Sequence, residues 1–324
     1  MKEIVYDGGR LGGIKIGVSA AASWAWGTSL VLGQQICQQR GLGAFAIWAV
    51  ANTMTMVLFA VLMNRGVIKP TVFDNPIIKT VAIIIQMFCL IVNLNAIYQT
   101  VFPFLDNGLE TYAITSAVGI AFTMAMFKHG LPSSIKADLV KWFIVMVSIC
   151  LIVALGVVQG APTRTFPVSG GSDLMWAVWS AAILLSGLIG DVQHWQRALA
   201  DKTKRCYYNG AIFFGIYMLG VLAMAYFEFS PAMNVLLLIA CLGVTVSTIN
   251  SIAVAMHEVV DKRVGTAITV FICLAWGIGI NIGLIELWSN FGIVRVCFAI
   301  TIVVSSMVIS EVVRNANMKK SAEH

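Results

Sequence analysis

The sequence predicts an all-α integral membrane protein of ten transmembrane helices, arranged as two inverted repeats of five with spans 1 and 6 broken. Three observations predict it. The first is composition: 59% of the 324 residues are hydrophobic and 11% are charged, far from the balance of a soluble domain. The second is spacing. Apolar runs bounded by charge, Gly or Pro fall at 14–39, 42–64, 77–105, 111–127, 135–159, 174–199, 206–227, 231–257, 264–289 and 291–313, close to the roughly 20 residues that cross about 30 Å of hydrocarbon. The third is charge. Of 21 Lys and Arg residues, all but Arg40, Arg164 and Arg295 fall in even-numbered loops or at the ends, which is the positive-inside pattern of a multi-pass chain in the cell (inner) membrane with both termini cytoplasmic.

The whole chain, 1–324, reads as a single membrane domain, with 14–160 as the first five-helix repeat and 172–315 as the second. Five is odd, so the two halves enter the membrane from opposite sides. The run that follows the polar first 15 residues has no cleavage-site ending, so it reads as a retained helix rather than a signal peptide. The net charge of +6 sits in short clusters without interleaved aromatics, which marks topology and not a nucleic-acid partner. The seven cysteines are scattered without metal-type spacing and read as small apolar side chains. His129, His194, His257 and His324 fall in inside loops or the tail. No catalytic or metal cluster is expected at membrane depth, and an enzyme is not expected.

The first span of each half is interrupted by small and polar residues. In span 1 the interruption is Ser19-Ala20-Ala21-Ala22-Ser23-Trp24-Ala25-Trp26-Gly27-Thr28-Ser29, and in span 6 it is Ser186-Gly187-Leu188-Ile189-Gly190-Asp191. Unwound backbone in a bilayer is tolerated only where it lines a cavity or a ligand, so matched interruptions point to a binding site. Close helix packing through small residues is the other reading.

At these residues the chain resembles the sodium/solute symporter family, whose core is the ten-helix inverted repeat of the leucine-transporter fold. The stretch from Ala21 to Leu30 is similar to the family's broken first core helix, and its Ser23-Trp24-x-Trp26 is similar to the urea-transporting branch. Asp191-Val192-Gln193-His194-Trp195-Gln196-Arg197 resembles the family's Asp-Gln-x-x-x-Gln-Arg segment, with Val192 in place of the common Gln. Val246-Ser247-Thr248-Ile249-Asn250-Ser251 resembles its Ser-Thr-x-x-Ser sodium segment. The usual helices flanking the ten-helix core are missing, so the likeness is to a minimal version. It implies sodium as the bound cofactor, with the carbonyls of Ala22 and Ala25 among its ligands, and spans 1, 2, 6 and 7 rocking against the rest.

The physics of span 8 is readable beside the likeness. A hard monovalent cation takes oxygen ligands, and Ser247 and Thr248 offer two adjacent hydroxyls with the carbonyl of Val244 one turn earlier. Hydroxyls that bond back to their own helix are the plainer alternative. The substrate cavity is expected beside the breaks, near the midplane, with Ser23, Trp24, Trp26, Thr28, Gln86, Asn93, Trp179 and Ser186 as candidates; the three tryptophans also fit interfacial or packing roles. None of these is ionised, which favours an uncharged small-molecule solute such as urea or a related amide. Asp191 is expected to pair with Arg197 and orient or gate the inner vestibule, with a proton-carrying role as the alternative.

The expected function is a sodium-coupled symporter of a small polar solute, with the solute and the lipid bilayer as partners. A sodium-independent channel or facilitator, or a proton-coupled symporter using Asp191, is the alternative. In a channel Ser247 and Thr248 would be dispensable.

Overall fold

The structure, a computed structural model, describes residues 13–126, 131–201, 205–256, 260–279 and 283–322. Lys2, Arg10, Lys128, Lys202, Lys204, His129, His257 and His324, on which part of the topology reading rests, lie outside them. Among the described residues every regular element is a helix, and a single isolated bridge joins Thr163 to Phe227.

The first half opens with α1 (Gly13–Trp24) and α2 (Gly27–Asn64). Between them Trp26 is extended, at φ −87 and ψ 155. A straight helix of the 38 residues of α2 would run about 57 Å at roughly 1.5 Å per residue, nearly twice the hydrocarbon thickness. It turns instead at Gly41, which has φ 82. Only glycine fits there, because the left-handed region disfavours a side chain and an added Cβ would lie 2.1 Å from the Pro167 carbonyl. The Ser169 hydroxyl takes up the freed backbone groups, donating to the Arg40 carbonyl at 2.7 Å and accepting from the Ala44 N–H at 3.0 Å. A short 3-10 turn, Pro70–Asp74, then leads to α3 (Pro76–Leu105), α4 (Gly108–Met126) and α5 (Leu131–Val158). Pro76 and the Asn75 side chain start α3, the latter accepting from the Ile77 N–H at 2.9 Å, as a capping residue does.

The second half opens with α6 (Gly171–Gly187), which tightens into a 3-10 turn at Leu188–Gly190 and stops at Asp191, extended at φ −106 and ψ 102. The chain continues through α7 (Val192–Ala200), α8 (Cys206–Ala225), α9 (Pro231–Met256) and α10 (Lys262–Ala275). A 3-10 turn at Trp276–Gly279 and the long α11 (Leu284–Ala322) complete it.

Seven of these helices are by length and composition able to cross a membrane: α2, α3, α5, α6 with its 3-10 turn, α8, α9 and α11. Large apolar side chains such as Leu109, Val158, Met175 and Leu219 stand on the outer surface, where water would penalise so much contiguous hydrocarbon and lipid does not. The chain is a multi-pass all-α membrane protein.

Two boundaries differ from expectation. Helix α1 persists through the expected break, since the Ala25 N–H still bonds the Ala21 carbonyl at 2.8 Å; the unwinding comes at Ala25–Trp26. The run 264–289 is two pieces, because α10 ends at Ala275 and α11 has begun by Leu284. Hydropathy cannot see a turn built from Gly and Ile within an apolar run.

Helix α1 packs on α5 and α8, and α6 packs on α11 and α2. At the centre α2 meets α8, and α3 meets α9; toward the side α4 meets α10, while α5 lies along α9. Both helix interruptions are therefore buried among other helices.

Candidate functional site

A cavity lies beside the α1–α2 interruption. Trp24, Trp26, Thr28, Ser29 and Leu32 line it from that side, Trp48 and Asn52 from the second leg of α2, Leu184 from α6, and Trp288 and Arg295 from α11. The space inside it that a water can occupy is about 10 Å³, on the order of one water molecule. In this state its own side chains nearly fill it, and a solute enters only as the surrounding helices move apart.

Local chemistry fixes its walls. The Trp24 indole donates to the Asn52 side-chain oxygen at 2.6 Å, and the Trp26 indole to the Ser23 carbonyl at 3.2 Å. The Asn93 side chain accepts from the Gly27 N–H at 2.9 Å and so anchors the start of α2. Gly187 permits the closest contact, because a Cβ there would lie 2.3 Å from the Trp24 ring and 2.9 Å from the Arg295 guanidinium. Arg295 donates to the Gly187 carbonyl at 2.9 Å, satisfying the end of α6. Its guanidinium also lies 5.2 Å from the Trp24 ring centroid and 4.9 Å from that of Trp26. It is 2% exposed and joins no ion pair among the described residues.

Behind α1 sits a buried charge cluster. Asp138, on α5, accepts from the Arg197 guanidinium at 2.6 Å and from the hydroxyls of Ser19 at 2.7 Å and Ser247 at 2.6 Å. The Lys141 ammonium is 3.4 Å away, one turn along the same helix. Arg197 also donates to the Ser19 hydroxyl at 2.9 Å and to the Gln193 carbonyl at 3.0 Å. One carboxylate thus ties α1, α5, α7 and α9 together.

Two further layers flank the cavity. On one side Asp191 caps α7 by accepting from the Gln193 N–H at 3.2 Å, and it accepts from the Gln86 amide at 2.5 Å. The His194 ring next to it meets the Trp24 ring edge-on at 5.8 Å. On the other side the cavity-lining Trp288 lies 6.3 Å from Trp176, over which Arg40 stacks at 4.5 Å. Arg40 then pairs with Asp173 at 3.2 Å, both partly exposed.

Of the expected substrate residues, Trp24, Trp26 and Thr28 line the cavity. Ser23 donates to the Ser19 carbonyl at 2.7 Å, Gln86 holds Asp191, and Asn93 holds the start of α2. Trp179 is 42% exposed on the outer surface of α6, and Ser186 donates back to the Ile183 carbonyl at 2.8 Å; neither reaches the cavity. Of the expected sodium ligands, Ser247 is engaged by Asp138, and Thr248 donates to the Val244 carbonyl at 3.5 Å. Arg197 pairs with Asp138 and not with Asp191, because α7 turns it back toward α1. His194 is buried rather than in a loop. Arg295, expected at the outer end of the run 291–313, is a cavity wall, since α11 has begun by Leu284 and carries it a few turns into the helix. The cavity therefore does hold an ionised side chain. Sequence reasoning missed Asp138, Lys141 and Arg295; the signal for the first two was an acid three residues before a base inside an apolar run.

Compared with known proteins, the chain matches no family model and no curated sequence.

Proposed function

We propose that this chain is a secondary transporter that carries a small polar solute by alternating access, with the overall plan of the sodium/solute symporters. The observation that carries the reading is a small cavity beside interrupted helices, with an ion pair on either side of it. A carrier must close on one side before opening on the other. The Arg40–Asp173 pair with the Trp176–Trp288 layer supplies one closure, and the Arg197–Asp138 pair with Ser19 and Ser247 supplies the other.

The inverted-repeat reading has support in the packing. Exchanging each helix of the first half for its counterpart in the second turns the α1–α5 contact into α6–α11, and α1–α8 into α6–α2. The α2–α8, α3–α9 and α4–α10 contacts map onto themselves. Ten spans follow if α2 is counted on either side of Gly41 and α4 and α10 each cross; both termini are then cytoplasmic in the inner membrane.

For the coupling ion, the geometry favours a resident cation over a bound one. Asp138 already faces Arg197 and Lys141, and a sodium ion at Ser247 would add a third positive charge beside one carboxylate. At 4 Å each such repulsion is about 4 kcal/mol even at a surface-like dielectric. Sodium is the second reading, favoured by the convergence of Asp138, Ser19, Ser23 and Ser247 oxygens with Val244 and Thr248 nearby, a hard-oxygen set of the type cations take. It requires a state in which Arg197 has left.

Reconstitution into liposomes tests both levels. A carrier gives faster entry of labelled solute when unlabelled solute is inside, and a channel does not; no such acceleration with any small solute taken up would sink the carrier reading. Uptake unchanged between sodium and potassium media is expected. Uptake that needs sodium, and needs more of it in Ser247→Ala, would establish the second reading instead.

A further inference from the structure

We propose that the solute this site takes up as it opens is a small monocarboxylate, with Arg295 as its counter-ion; this rests on the carrier reading above. Three cavity-lining groups are buried and without a partner: the Arg295 Nε, the Trp48 indole Nε1 and the Thr28 hydroxyl. Two of the three can only donate. Their residues are at most 2% exposed, so water does not reach them as it would on a surface. Leaving such groups unpaired is costly, and most of all for a charge. A ligand that brings acceptors and a negative charge removes that cost.

The charge of the site agrees. Arg295 contributes one positive charge, and the ten lining residues include no acid. Asp191 lies close enough to feel the Arg295 charge, and it is also held by Gln86 and Gln193. A buried cation whose acidic neighbour is already engaged has room for a single further anion, and a guanidinium fork matches a carboxylate geometrically.

The remaining wall narrows the class. Trp24, Trp26, Trp48, Trp288, Leu32 and Leu184 suit a short apolar body, which an inorganic oxyanion lacks. A zwitterionic amino acid brings an ammonium group that needs acceptors. Acceptors on the wall are few: the Asn52 side-chain oxygen, which already receives the Trp24 indole, and the hydroxyls of Thr28 and Ser29. A doubly charged anion would outweigh the single guanidinium.

The test compares butyrate with butyramide, which share shape and differ in charge, together with urea and glycine, as stabilisers of the purified protein in detergent at neutral pH. A ligand of the folded state raises the melting temperature by mass action. Butyrate should stabilise, with butyramide, urea and glycine at least about tenfold weaker, the scale of one charge-assisted contact. Arg295→Gln should abolish the preference for butyrate, while Arg295→Lys should keep it at lower affinity. If Arg295→Gln gives no cooperative melt, Trp48→Phe serves instead, because it removes one donor and keeps an aromatic ring; it should weaken butyrate. Butyramide or urea binding as well as butyrate, or full butyrate binding in both variants, would overturn the proposal. Butyrate binding without any uptake in liposomes would sink the carrier reading and leave the site standing. Uptake of urea but not butyrate would do the reverse.

Discussion

Two buried arginines divide this molecule. Arg197 is fully buried and surrounded by acceptors supplied by the chain: the Asp138 carboxylate, the Ser19 hydroxyl and the Gln193 carbonyl. Arg295 is equally buried, yet the chain gives it one carbonyl and three aromatic faces, those of Trp24, Trp26 and Phe291. The first charge is answered within the fold and holds helices together. The second is answered only in part, beside a cavity, which is where a ligand would complete it. Burial alone therefore does not assign a role to an intramembrane charge; the count of acceptors around it does.

The largest effect that would sharpen this contrast is expected from Asp138→Asn. It strands Arg197 and Lys141 together without a carboxylate, and removing one partner of a buried pair costs roughly 3–5 kcal/mol. Unfolding in mixed micelles titrated with denaturing detergent should show it, and a loss under 1 kcal/mol would mean that the cluster is wet or not formed. Arg197→Met should cost less, roughly 1.5–3 kcal/mol, the scale of hydrogen bonds to a charged group, since Lys141 still faces Asp138. Arg295→Met should cost about 1 kcal/mol or less. It forfeits the bond to Gly187 and the ring contacts, but it also removes an unpaired buried charge. If Arg295→Met destabilises as much as Asp138→Asn, the distinction between the two arginines fails.

That the chain is all-helical and crosses a membrane several times was legible in the sequence, because hydrocarbon thickness sets the length of each apolar run. The break in span 6 was legible as well, from Gly187 and Gly190 before a lone acid. The site was less so. Trp24, Trp26 and Thr28 could be named from their position in the span 1 interruption, but Trp179 and Ser186 could not be told from lipid-facing or self-bonded residues, since a helix interruption gives no rotation angle. Asp138 and Lys141 hid in plain view: near the start of an apolar run they read as loop-end charges, and only the tertiary approach of α1, α7 and α9 makes them a cluster. Arg295 was misplaced for a different reason. The few residues by which the α10–α11 turn precedes its hydropathic boundary carry it from the outer end of the span to the cavity wall.

Arg40 gives the comparison a third member and the smallest expected effect. Its pair with Asp173 is as short as a good hydrogen bond, 3.2 Å, but the two side chains keep 27% and 25% of their exposure, so solvent screens the attraction and each side chain loses rotamer freedom in making it. A pair of this kind contributes about 0.2–1 kcal/mol, and the stacking of Arg40 on Trp176 adds about 0.5–1 kcal/mol. Comparing Arg40→Gln, Asp173→Asn and the double variant separates the two contributions, because only the ion pair is shared between the single changes. The coupling read in mixed micelles should be under 1 kcal/mol and should shrink further as salt is raised. The same variants should change uptake more than stability, since a weak pair at the rim of a closure shifts the balance between open and closed states without touching the core. A coupling above 2 kcal/mol that is indifferent to salt would place Arg40 with Arg197, as a structural tie, and would remove the rim pair from the closing mechanism.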